Sequence, residues 1–175
     1  MNEAIVQSIR FFVLLFIQLI LLHNVQLWGI AFPFIFIFFI LFLPLTLNPW
    51  LALLLGFFIG VIVDIFSTTY GLHTATCTLL AFVRPFVLQR LTPKIHPDDP
   101  AYLNLYSRDL PANAAYLAVM SFTYCTGFFI LQHVGTHGLF VTLKWALASA
   151  TFTFLLLMIY RYLLVSKSDV KRKRI

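Results

Sequence analysis

Residues Asn48 to His73 read NPWLALLLGFFIGVIVDIFSTTYGLH, and this stretch decides the fold. Asn48 before Pro49 is a helix start: a side-chain cap, then a residue whose missing N–H falls in the first turn, where it has no partner to lose. From Leu51 to Ile65 the run is apolar apart from Asp64, and Gly56, Gly60 and Asp64 stand four residues apart. Four-residue steps on a helix advance by only about 40°. The three therefore share one narrow stripe, along which the glycines admit another backbone. A carboxylate in so apolar a run faces protein or water and not lipid. Two readings follow: Gly56 and Gly60 are a packing seam with Asp64 a structural polar residue, or Asp64 belongs to a functional cluster. Gly71, which ends the short polar turn, joins Gly56 and Gly60 as a candidate helix-packing position.

The whole chain has the same character. Of its 175 residues 61% are hydrophobic and only 10% charged, too few charges to clothe a soluble domain, while several runs are long enough to cross a bilayer. The expected architecture is an all-α integral membrane protein, a six-transmembrane-helix bundle forming one membrane domain. The expected spans are 5–27, 31–47, 49–66, 72–91, 112–132 and 139–165. The amino-terminal run resembles a signal peptide but has no small-x-small cleavage site, so it reads as an uncleaved first span ending at Trp28. The second span holds six phenylalanines between Phe32 and Phe42 and no ionisable side chain. Apolar on every side, it is expected to be the most lipid-exposed helix. Its Phe-Ile-Phe alternation is strand-like, but a lone strand in lipid leaves its backbone unpaired. Pro85 is expected to kink the fourth span. In the fifth, Ala114, Ala118, Ser121 and Cys125 make a small-residue stripe.

Lys and Arg gather in the 92–111 loop, in the 166–175 tail and at Arg10, whereas the turns at 23–30, 67–71 and 133–138 have none. By the positive-inside rule both termini and the 92–111 loop are cytoplasmic, which six spans satisfy. The basic tail reads as a topology signal attracted to anionic lipid, with no nucleic acid implied.

In that topology Asp64 and Lys144 lie at similar depths in the outer half, within reach of a lysine stem. Asp64, His73 and Lys144 are therefore a candidate polar cluster or pocket. The alternative is that Lys144 snorkels outward and Asp64 is hydrated. Arg84 sits on the cytoplasmic side, where it reaches lipid headgroups or closes the inner end of the bundle. Cys77 and Cys125 lack a C-x-x-C partner, so neither a metal site nor a redox pair is indicated. His133 and His137 have a metal-compatible spacing only on a helix, which Gly135 between them disfavours. No catalytic signature is present, so no enzyme and no cofactor are expected.

Gly56-x-x-x-Gly60-x-x-x-Asp64, a short polar turn and Gly71-Leu72-His73 together resemble the central signature of the MreD family, the small rod shape-determining membrane proteins of bacteria. Length, span number, cytoplasmic ends and basic tail are similar too; the 92–111 loop departs from the pattern. The resemblance implies a non-enzymatic scaffold of the cell-elongation complex in the bacterial cytoplasmic membrane, serving cell shape and lateral peptidoglycan synthesis. Its implied partners are an MreC-like single-span protein, the elongation glycosyltransferase and transpeptidase, MreB indirectly, and membrane lipids. It also implies a six-helix fold similar to the substrate-binding subunits of energy-coupling-factor transporters. That likeness raises the alternative of a solute-binding component of a vitamin-type transporter, with an outward pocket at Asp64, His73 and Lys144.

Overall fold

The computed structural model of the chain describes residues 32–43, 47–91, 110–133 and 138–172. The expected first span, most of the 92–111 loop, His137 and the end of the basic tail lie outside these residues. All the described elements are helical. A 3-10 turn, Ile35–Ile37, leads into α1 (Phe38–Leu41), followed by α2 (Pro49–Ser67), α3 (Leu72–Leu91), α4 (Leu110–His133) and α5 (Leu139–Arg172).

Helix α2 begins as its sequence dictates. Asn48 Oδ1 accepts the Trp50 N–H at 3.1 Å, and Pro49 fills the first position. At the far end Thr68 (φ 54°), Tyr70 (φ 44°) and Gly71 (φ 91°) all take positive φ, which turns the chain back into α3. α2 packs on α3, α3 on α4, and α4 on α5. α3 and α4 run antiparallel: His73, near the start of α3, meets Tyr124, while Arg84, further along α3, shares the Leu41 carbonyl with Tyr116.

Three stretches, Pro49–Ser67, Pro111–His133 and Leu139–Tyr162, are long and apolar enough to cross a bilayer, which makes this a membrane protein. α3 has a comparable length but carries Arg84, Pro85 and Arg90, and it continues through the proline. The side chains exposed on α2 include Leu54, Phe57, Phe58, Ile65 and Phe66, and those on α3 Leu79, Phe82 and Phe86. Such an apolar exterior suits lipid or a membrane partner.

The expected second span is corrected. Residues 32–43 form neither a long helix nor a lipid-facing one. They make a strap against α2, α3 and α5 whose Phe36, Ile37, Ile40 and Leu41 are at most 1% exposed. The physical reason lies in Pro33 and in α5. Proline has no N–H to satisfy, and it biases the residue before it toward extended backbone. The flanking N–H groups are answered from another helix: Ser149 Oγ accepts that of Phe32 at 3.0 Å, and Thr153 Oγ1 that of Phe34 at 3.1 Å. Irregular backbone is tolerated at membrane depth where protein surrounds and satisfies it.

Candidate functional site

The region around Asp64 is built from the glycine stripe upward. A Cβ on Gly60 would stand 2.4 Å from Thr74 Cα and 2.8 Å from the His73 carbonyl oxygen. A Cβ on Gly56 would meet Ala81 Cβ and the Cys77 carbonyl oxygen at 3.0 Å. The stripe is thus a seam in which the backbone of α2 lies directly on α3. Gly71 differs: a Cβ there would meet nothing within 4 Å, and its φ of 91° shows that its part is to make the turn. As a packing position it is corrected.

One turn beyond Gly60, and because of it, Asp64 reaches the first turn of α3. Its Oδ1 accepts the His73 N–H at 3.0 Å and the Thr69 hydroxyl at 2.6 Å; its Oδ2 accepts the Thr74 N–H at 2.8 Å and the Thr74 hydroxyl at 2.6 Å. Four acceptor positions are the full complement of an ionised carboxylate. Two of the four donors are N–H groups that a helix start leaves without intrahelical partners, at the positive end of the helix dipole. The Asp64 backbone carbonyl also takes the N–H groups of Thr68 and Thr69. Asp64 therefore caps the neighbouring helix with its side chain and closes the turn with its backbone, and it is only 9% exposed.

The expected cluster with Lys144 does not form. Lys144 is exposed on α5, and among the described residues Asp64 makes no ion pair. The reason is that neutral donors from the adjoining turn already satisfy the carboxylate, so no cation is required. His73 is brought to Asp64 by its backbone alone. Its imidazole points into the core, with Nδ1 hydrogen-bonded to the Tyr124 hydroxyl at 2.5 Å. The ring stacks on Phe128 at 4.7 Å and meets Phe34 and Phe36 edge-on. His73 so joins α2, α4 and the strap. Beside Asp64 lies an open hollow of about 420 Å³ lined by Thr68, Tyr70, Gly71 and Thr74 among others.

Arg84 is buried and does not reach headgroups. Its guanidinium donates through Nε to the Leu41 carbonyl at 3.3 Å and through Nη2 to that of Leu43, and the Tyr116 hydroxyl donates to the Leu41 carbonyl at 2.9 Å. Of the two sequence readings, the one that closes an end of the bundle is the one found. α1 is only four residues long, so its terminal carbonyls lack helical partners, and a forked cation answers that of Leu41 together with that of Leu43, two residues beyond the helix.

Sequence reasoning missed Ser149, Thr153, Tyr116 and Tyr124. The signal for the first two was present: two hydroxyls four residues apart on one face of an apolar run, opposite a Phe-Pro-Phe that must present unpaired N–H groups. The tyrosines stood in an apolar run with nothing to separate them from ordinary core residues. His133 is buried, with Nδ1 hydrogen-bonded to the Thr142 hydroxyl at 3.3 Å. Among the described residues no group of His, Cys, Asp or Glu could hold a metal. Comparisons with family models, with curated proteins and with solved structures found no match for this chain.

Proposed function

We propose that this chain is a membrane scaffold of the bacterial cell-elongation machinery, of the kind its central motif resembles, with both termini cytoplasmic. The observation supporting this is the internal satisfaction of that motif. Gly56 and Gly60 bring two backbones together, and all four Asp64 hydrogen bonds fasten α2 to the following turn and helix. The motif so builds a fixed hairpin, and the hairpin turns an aromatic exterior, Phe57, Phe58, Phe82 and Phe86, toward the surroundings. A rigid hairpin with an apolar outer face is what assembly with an MreC-like single-span protein would use.

The test is made in a rod-shaped host that depends on this chain. Depletion should round the cells and disperse lateral wall insertion, and Asp64→Ala at normal membrane levels should do the same. An MreC-like protein should co-purify from native membranes. Unchanged cell shape and wall-insertion pattern on depletion would refute the proposal. Retention of a vitamin-like solute by the purified chain, lost in Asp64→Ala, would point instead to the transporter component.

A further inference from the structure

Two hollows adjoin on the α2–α3 hairpin. One, of about 580 Å³, is lined by Leu53 and Phe57 of α2 and by Ala75, Thr78, Leu79 and Phe82 of α3. The other is the hollow of about 420 Å³ beside Asp64, where Thr68 and Tyr70 stand. Gly71 and Thr74 line both. The two are therefore parts of one trench, apolar along the helices and polar at the turn that joins them.

We propose that this trench binds one aminophospholipid, with an acyl chain along α2 and α3 and the headgroup ammonium at the Asp64 end. Its dimensions suit a chain. The helical rise from Gly71 to Phe82 is about 16 Å, close to the roughly 15 Å depth of one hydrocarbon leaflet. Spread over that length, the apolar hollow is roughly 6 Å across, narrower than a helix with its side chains, about 10 Å. Left empty, it would deprive Phe57, Leu79 and Phe82 of dispersion contacts on one side. Charge selects the head. No Lys or Arg stands between Arg10 and Arg84 in the sequence, and the donors on Asp64 are all neutral, so among the described residues its negative charge has no cation beside it. The Thr68 hydroxyl donates to the Ser67 carbonyl at 2.7 Å, which leaves its oxygen able to accept. A primary ammonium brings three N–H donors and the opposite charge. A choline head brings the charge without the donors, and phosphatidylglycerol carries a net negative charge.

The trench lies within the aromatic face assigned above to a partner. It is tested on the purified chain alone, so its failure and that of the scaffold proposal are separate results. The experiment is native mass spectrometry of the full chain released from nanodiscs of dioleoyl phosphatidylethanolamine, phosphatidylcholine and phosphatidylglycerol in equal parts. The wild type should retain one phosphatidylethanolamine, enriched about fivefold over either other lipid, the scale of a partly exposed charge contact. Ala75 is exposed, and Ala75→Leu, which fills the apolar part, should cut that retention about tenfold. Ala118→Leu, at an exposed position of α4, should leave it unchanged. Asp64→Asn should abolish the preference for phosphatidylethanolamine over phosphatidylcholine. If Asp64→Asn does not fold, Thr68→Gly is used in its place. It removes the accepting hydroxyl at a left-handed position, φ 54°, that glycine adopts freely, and should weaken the same preference. Retention of the three lipids in bulk proportion, equal loss in Ala75→Leu and Ala118→Leu, or a preference unchanged by the variant at the polar end would each overturn the site.

Discussion

Asp64 and Thr74 are joined twice: one carboxylate oxygen accepts both the backbone N–H of Thr74, at 2.8 Å, and its hydroxyl, at 2.6 Å. The bond pair crosses from the last turns of one helix to the first turn of the next, so the hairpin is closed by a side chain as well as by its connecting residues.

Removing that carboxylate leaves two helix-start N–H groups and two hydroxyls without their acceptor. Asp64→Ala should lower stability by about 3 kcal/mol, the order expected for buried donors left unpaired. Asp64→Asn keeps one acceptor oxygen and should lose about half as much. Thermal unfolding in detergent reads both, and a midpoint unchanged in Asp64→Ala would show that the clamp contributes nothing.

A charge exchange tests the geometry from the other side. Lys144 is exposed and Asp64 is satisfied by neutral donors, so Asp64→Lys combined with Lys144→Asp should be no more stable than Asp64→Lys alone. Recovery in the double variant would mean that the two residues meet.

The three glycines should separate by mechanism. Gly60→Ala drives a methyl into the Thr74 and His73 backbone and should cost about 3 kcal/mol or prevent folding, because overpacking against backbone finds little relief. Gly56→Ala, whose nearest contacts are at 3.0 Å, should be milder, offset by the better helix propensity of alanine, about 1 kcal/mol. Gly71→Ala meets open space but needs a left-handed backbone, worth about 1 kcal/mol. Chemical denaturation midpoints give the order, and Gly71→Ala falling below Gly60→Ala would contradict it.

Thr153→Val keeps the volume and removes the acceptor of the Phe34 N–H, so it should destabilise by about 1 to 2 kcal/mol. Thr151→Val is the matched control. That threonine is exposed and, among the described residues, bonds the Leu147 carbonyl of its own helix alone, and its replacement should be close to neutral. Similar losses at both positions would indicate that the strap does not depend on α5.

Arg84→Lys discriminates between the two roles read for that residue. A headgroup contact would tolerate an ammonium, whereas the fork that serves the Leu41 and Leu43 carbonyls would not. The expected outcome is a loss of about 1 to 2 kcal/mol in thermal stability, and an unchanged midpoint would favour the headgroup contact.

The local parts of this fold were legible because their causes are local. Asn48-Pro49 specifies a helix start, four-residue glycine spacing specifies a seam, and both stand in the structure. The seam also turned Asp64 onto protein, one of the two surroundings, protein or water, read for it. What paired with Asp64 was not legible from charge. An acid invites a search for a base, but the donors here are the hydroxyls and amides of Thr69, His73 and Thr74, which belong to the adjoining turn and helix start. The strap was misread for a related reason. Uniform apolarity marks burial without saying whether lipid or protein provides it, and what decides is a pair of hydroxyls 117 and 119 residues further along.

That separation orders the chain's assembly in time. The α2–α3 hairpin closes through Asp64 and Thr74, ten residues apart, and can lock soon after both have left the ribosome. Phe32 emerges 117 residues before Ser149 exists to receive it, an interval on the order of ten seconds at ordinary rates of synthesis. The hairpin is therefore a template that is finished early, and the strap is the closing stitch of translation.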